Sequence, residues 1–144
     1  MRPKSIILFE RLLWLSLILS VIDLAFNWQA LITDFSSDPA WAGSDMGTWV
    51  GATTMAMGFA LYIALGYSVA RRGSRVAKWI LVAFTAFGVA SMALLPMALP
   101  ADELDDLWVS LLSNIAMLAA VAMLFRRDAV EWLKGPQVVA ETFQ

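Results

Sequence analysis

The chain contains no cysteine and no histidine. Without thiols there can be no disulfide, Fe–S cluster or thiolate metal site. Without imidazole, the usual haem ligands, imidazole metal sites and imidazole general bases are excluded too. Charge is also scarce, at 15% of the residues, where an ordinary soluble domain carries about 25%. Nothing in the sequence pairs a nucleophile with a base, cradles a phosphate or gathers buried carboxylates, so no enzyme is expected. No cofactor and no nucleic-acid partner are expected either.

What the chain has in excess is apolar surface. Hydrophobic residues make up 60% of its 144 residues, and the mean hydropathy is +0.72. The excess falls in four blocks, near Leu12–Ile32, Trp49–Ala70, Trp79–Leu99 and Leu107–Phe125. Each is close to the roughly 20 residues that cross a bilayer as a helix. The first block is too long for the apolar region of a signal peptide and no small-residue cleavage site follows it, so it is expected to be retained.

Charge sign alternates along the chain. Every base lies in one of three groups. Arg2, Lys4 and Arg11 flank the first block. Arg71, Arg72, Arg75 and Lys78 join the second to the third, and Arg126, Arg127 and Lys134 follow the fourth. The remaining two connections carry only acids: Asp34, Asp38 and Asp45, then Asp102, Glu103, Asp105 and Asp106. Short cytoplasmic loops retain Lys and Arg. The pattern therefore predicts both termini and the 71–78 loop in the cytoplasm, with the 33–48 loop outside. Trp28, Trp41, Trp49 and Trp108 fall at outer ends, and Trp14, Trp79 and Trp132 near inner ones, as interfacial belts require. The basic inner face should meet anionic lipid head groups.

These features predict an all-α membrane protein, an antiparallel up-down-up-down four-helix bundle in one transmembrane domain. Its first and last helices should be neighbours. Pro96 and Pro100 should end or kink the third helix. The acids from Asp102 to Asp106 should favour the start of the fourth. Residues 126–144 are read as an interfacial segment, with a short helix in RRDAVEWLKG turning Val130, Trp132 and Leu133 toward lipid. Phe35 and Trp41 should lie at the membrane surface. The eight methionines should fill gaps between helices.

One residue breaks the apolar pattern of the first block. Asp23 lies 11 residues past Leu12, about 16 Å into the membrane. Ser16, Ser20, Asp23 and Asn27 share its helix face by their spacing of 4, 3 and 4. The second block has a stripe of Gly47, Gly51, Thr54, Gly58, Tyr62 and Gly66, suited to close helix packing. The third has Thr85, Gly88 and Ser91, and the fourth Ser110, Ser113, Asn114 and Met117. The expected polar cluster is Ser20, Asp23, Asn27, Thr54, Ser110 and Asn114. Equal depth makes Asn114 the expected partner of Asp23. No base reaches that depth. The cluster is read as a hydrogen-bonded clip between helices, the alternative being a proton- or cation-coupling site in a small transporter or channel.

The segments RPKSIILFERL and RRGSRVAKWILV resemble those of small four-span bacterial inner-membrane proteins of the domain-of-unknown-function type. That resemblance implies an inner-membrane location and the same layout, and it transfers no site residues. Other small four-span families fit less well. Small multidrug exporters carry a glutamate where this chain has Asp23, and their connections are shorter. The arginine-bearing glycine motif of fluoride channels is absent, as are the cysteines of quinone-linked disulfide-forming proteins. The expected function is that of a non-enzymatic accessory or structural subunit, as a homodimer or in a larger membrane complex.

Overall fold

The computed structural model describes residues 2–37, 40, 45–98 and 108–134. Among these there are six helices and no strand: α1 Lys4–Phe26, α2 Trp28–Ser37, α3 Met46–Arg72, α4 Arg75–Ala98, α5 Trp108–Met123 and α6 Arg127–Lys134. Three stretches, Lys4–Phe26, Met46–Arg72 and Arg75–Leu94, are long and apolar enough to cross a membrane. A fourth crossing results when α5 and α6, bent by 65° from each other, are counted together. A helix satisfies its own backbone, which is the requirement hydrocarbon imposes. Large apolar side chains such as Ile18, Met57, Phe87 and Ile115 are exposed on the outside of the molecule, as suits a lipid-facing surface.

α1 makes its most extensive contact with α5 and also touches α3, while α4 packs on both α3 and α5. The first and last long helices are therefore neighbours. The apolar core lies toward the basic end, where Ile6, Phe9, Leu13, Val69, Leu81, Leu124 and Leu133 are buried together. α3 buries Gly47 and Gly51 near one end and Leu65 onward near the other, with no buried residue between them. Its middle is thinly covered.

The helix expected to continue to Ile32 is interrupted at Asn27. The Asn27 side-chain amide donates to the Asp23 backbone carbonyl at 3.2 Å, competing with the ladder for an acceptor that the Asn27 N–H also uses at 2.9 Å. The first part of the expected outer loop is consequently helix. α2 lies against the first turns of α3, and glycine makes that approach possible. A Cβ on Gly47 would stand 2.8 Å from the Ser36 Cα and 2.9 Å from the Phe35 carbonyl. Gly51 likewise receives the Phe35 ring. Phe35 is thus folded onto α3 rather than projecting outward. Gly47→Ala should push α2 off α3 and destabilise by about 1–3 kcal/mol, an overpacking cost, readable as faster proteolysis in residues 28–45.

At the basic end α3 and α4 are joined by Gly73 and Ser74 alone, with Gly73 at φ 61°, a conformation that favours glycine. Ser74 begins α4 by accepting the Ala77 N–H at 3.2 Å. α4 runs through Pro96 to Ala98, so that proline does not end it. Trp41, Pro100, the acids from Asp102 to Asp106 and the tail from Gly135 onward lie outside the described residues.

α6 corrects another expectation. It is a helix, but Ala129 and Leu133 are buried in the protein core and Trp132 packs against that core. Two of the three residues expected to face lipid thus face protein. The bend after α5 brings α6 against the start of α1, with Trp132 beside Gly73 at the end of α3.

Candidate functional site

Polar residues of α1 and α5 form two groups, with a cavity beside them. The more buried group is a serine cluster. Ser16 Oγ donates to the Ser113 carbonyl and Ser113 Oγ to the Ser16 carbonyl, each at 3.0 Å. Ser20 Oγ lies 2.6 Å from Ser113 Oγ. Small side chains let the two helices come this close, and reciprocal hydroxyl–carbonyl bonds then tie them.

The second group is built on Asp23. Its Oδ2 accepts from Ser110 Oγ at 2.5 Å, and its Oδ1 accepts from Asn27 Nδ2 at 3.1 Å. Asn114, the partner expected from depth, instead donates to the Ser110 carbonyl on its own helix at 2.9 Å. Counting residues cannot give the rotation of α5, and one turn along the same face brought Ser110 to the acid. Asp23→Leu should therefore destabilise by about 1–3 kcal/mol, leaving Ser110 without its acceptor and Asn27 with only the residue 23 carbonyl. In a double-mutant cycle, read by unfolding in mixed detergent micelles, Asp23→Leu should couple to Ser110→Ala and be additive with Asn114→Leu. The opposite pattern would restore Asn114 as the partner.

The cavity has a volume of about 390 Å³ and lies among α1, α3 and α5. Ser16, Ser20, Ser113 and Asn114 line it from α1 and α5, and Thr54, Gly58 and Tyr62 from the small-residue stripe of α3. Leu17, Met55, Phe59 and Met117 complete the wall. Of the six polar residues expected to cluster, Ser20, Thr54 and Asn114 meet at this cavity. Asp23, Asn27 and Ser110 form the separate acid group. The α3 stripe thus does three different things. Gly47 and Gly51 admit α2, Thr54 to Tyr62 face the cavity, and Gly66 admits Leu13 of α1.

A third cluster at the basic end was not anticipated. Lys78, buried although charged, donates to the Leu124 carbonyl at 2.9 Å and lies 3.9 Å from the centre of the Phe125 ring. Arg75 Nε donates to the Leu133 carbonyl at 2.9 Å. Cations thus meet the carboxyl ends of α5 and α6, where the helix dipole favours them. Glu10 pairs with Arg2 at 2.7 Å and with Arg71 at 3.6 Å. Asp128 Oδ2 accepts the Ser5 backbone N–H at 3.3 Å, at the opening turn of α1. Its carboxyl is held below the ordinary carboxylate range, chiefly by the Ser5 hydroxyl and then by that N–H, against a desolvation that raises it. The hydroxyl itself has no hydrogen-bond partner among the described residues. The sequence signal for this cluster was only the presence of bases in the turn. Their targets are backbone carbonyls, which no residue pattern displays.

No family model, curated protein or solved structure matches the chain. Function rests on the geometry.

Proposed function

We propose that this chain is a non-catalytic, multi-pass protein of the bacterial inner membrane that serves as an accessory or structural subunit. In this reading α1, α3, α4 and α5 form an antiparallel up-down-up-down four-helix bundle with both termini in the cytoplasm. The carrying observation is how the intramembrane polar groups are used. Ser16, Ser20 and Ser113 engage one another, and Asp23 is held by Ser110 and Asn27. They bind helix to helix, which is the task of a clip. Transport sites usually gather several ionisable groups, and among the described residues none pairs with Asp23. Arg2, Arg71, Arg75 and Lys78 meet protein partners near one end of the molecule. The exposed Lys4, Arg11, Arg72, Arg126, Arg127 and Lys134 belong to the same basic segments. That supports a cytoplasmic face in contact with anionic lipid.

One observation favours the alternative of a proton- or cation-linked transporter or channel. The helix is interrupted four residues beyond Asp23, and transporters place substrate and ion sites at such breaks. Purified protein in liposomes separates the two. The clip reading predicts no proton flux above empty vesicles in either wild type or Asp23→Asn, and membrane co-purification of a partner or of a second copy. Flux in the wild type that Asp23→Asn abolishes would replace it with the transport reading. Orientation has its own check: reporter fusions at Ala40 and at Lys134 should give opposite signals, outside and cytoplasmic. Matching signals would overturn the proposed threading.

A further inference from the structure

The clip leaves the cavity among α1, α3 and α5 without a role. Its wall is mixed in a particular way. No Lys, Arg, Asp or Glu lines it, so a charged occupant would be desolvated with nothing to offset the cost. It is not an acyl-chain groove either. The hydroxyls of Thr54 and Tyr62 have no hydrogen-bond partner among the described residues, and Asn114 uses its Nδ2 on Ser110 while its Oδ1 has none. An alkyl chain would leave these groups unmatched, a penalty that an occupant bearing oxygen removes. The remaining wall is soft and aromatic, with Met55, Met117 and Phe59 beside Tyr62. Thioether–ring and ring–ring contacts favour a planar ring over a flexible chain. The volume of about 390 Å³ falls within the roughly 300–1,000 Å³ typical of ligand pockets.

We propose that this cavity binds an uncharged, ring-bearing amphiphile from the lipid phase, of the phenol or quinone class, with Thr54 and Tyr62 donating to its oxygens and Asn114 Oδ1 available to a hydroxyl. Binding alone is proposed, with no electron or proton transfer. The site goes beyond the accessory role and does not depend on which face of the membrane is cytoplasmic.

Gly58 provides the decisive variant. It lines the cavity, and a Cβ placed on it would meet nothing within 4 Å. A phenylalanine there enters open space, and replacing a mid-helix glycine also favours the helix. The full chain in detergent micelles is titrated with a decyl-substituted benzoquinone by equilibrium dialysis. One saturable site per chain is expected, weakened at least 30-fold by Gly58→Phe, whose melting temperature should equal or exceed that of the wild type. Thr54→Val with Tyr62→Phe should leave the space open and weaken binding roughly threefold to tenfold for each lost hydrogen bond. Should Gly58→Phe fail to fold, the Thr54 and Tyr62 pair decides alone. The proposal is overturned if the wild type shows no saturable binding. Unchanged affinity in folded Gly58→Phe, or in the Thr54 and Tyr62 pair, also overturns it. Displacement by an equal concentration of hexadecane would assign the cavity to acyl chains instead.

Discussion

Phe9→Ala should destabilise the protein by about 3–5 kcal/mol, the range for truncating a fully buried aromatic side chain. Phe9 is 0% exposed, as are Ile6 and Ala129 in the same cluster. It lies in the part of the molecule where α1 also packs against α6. Within a bilayer the gain from leaving water is muted, because lipid is as apolar as the core. The cost is therefore one of lost packing contacts and a void that rigid helices cannot close. The loss should be uneven. α6 is short and bent away from α5, so it should detach first. Cleavage by trypsin at Arg126 or Arg127 should accelerate while α3 and α4 stay protected. Phe9→Leu, which keeps most of the volume, should cost under half as much. If Phe9→Ala leaves both the unfolding midpoint and the tryptic pattern unchanged, α6 is not docked by this core.

Ser113→Leu should cost about 2–4 kcal/mol, combining overpacking of 1–3 kcal/mol with lost hydrogen bonds. Ser113 is buried where α5 packs on α1, and its hydroxyl meets both Ser16 and Ser20. A leucine there must crowd Ser16 and Ser20 or turn into the neighbouring cavity, and in either case it cannot replace the hydroxyl. Ser113→Ala makes the informative contrast. The Ser16 hydroxyl keeps the residue 113 carbonyl as acceptor, while Ser20 loses its partner, so roughly 1 kcal/mol is expected. Unfolding in mixed micelles measures both. Equal effects from Ala and Leu would mean that spacing at this seam is not limiting.

Much of the architecture was legible in the sequence because membrane crossing imposes length and apolarity together. The long helices and the adjacency of α1 and α5 follow from that, whereas the loop expected over 71–78 shrinks to Gly73 and Ser74 because both flanking helices run on into the basic residues. The rotation of each helix about its axis was not legible. Asn114 and Ser110 lie one turn apart on the same face, and only the packing of α5 decides which one Asp23 meets. The break at Asn27 was hidden because leucine- and alanine-rich residues continue on both sides of it. α6 was misjudged for a related reason. An amphipathic segment has the same pattern whether it covers protein or lipid, and the choice depends on Asp128 and Arg75 finding backbone groups far away in sequence. The cavity arises from what is small, with Gly58 the gap that no positive signal marks.

The seam between α1 and α5 joins residues 97 apart in the chain, Ser16 and Ser113. At about 5–20 residues per second, the ribosome needs roughly 5–20 s to produce the second after the first. Throughout that interval Ser16 and Ser20 lack their partner Ser113, and Asp23 has Asn27 but not Ser110. The half-made protein is thus its own most fragile form. It should be bound by whatever insertion machinery can offer a polar face within the bilayer, and released only when the last span arrives. A chain stalled before Ser110 is translated should remain held there and be degraded when that machinery is depleted.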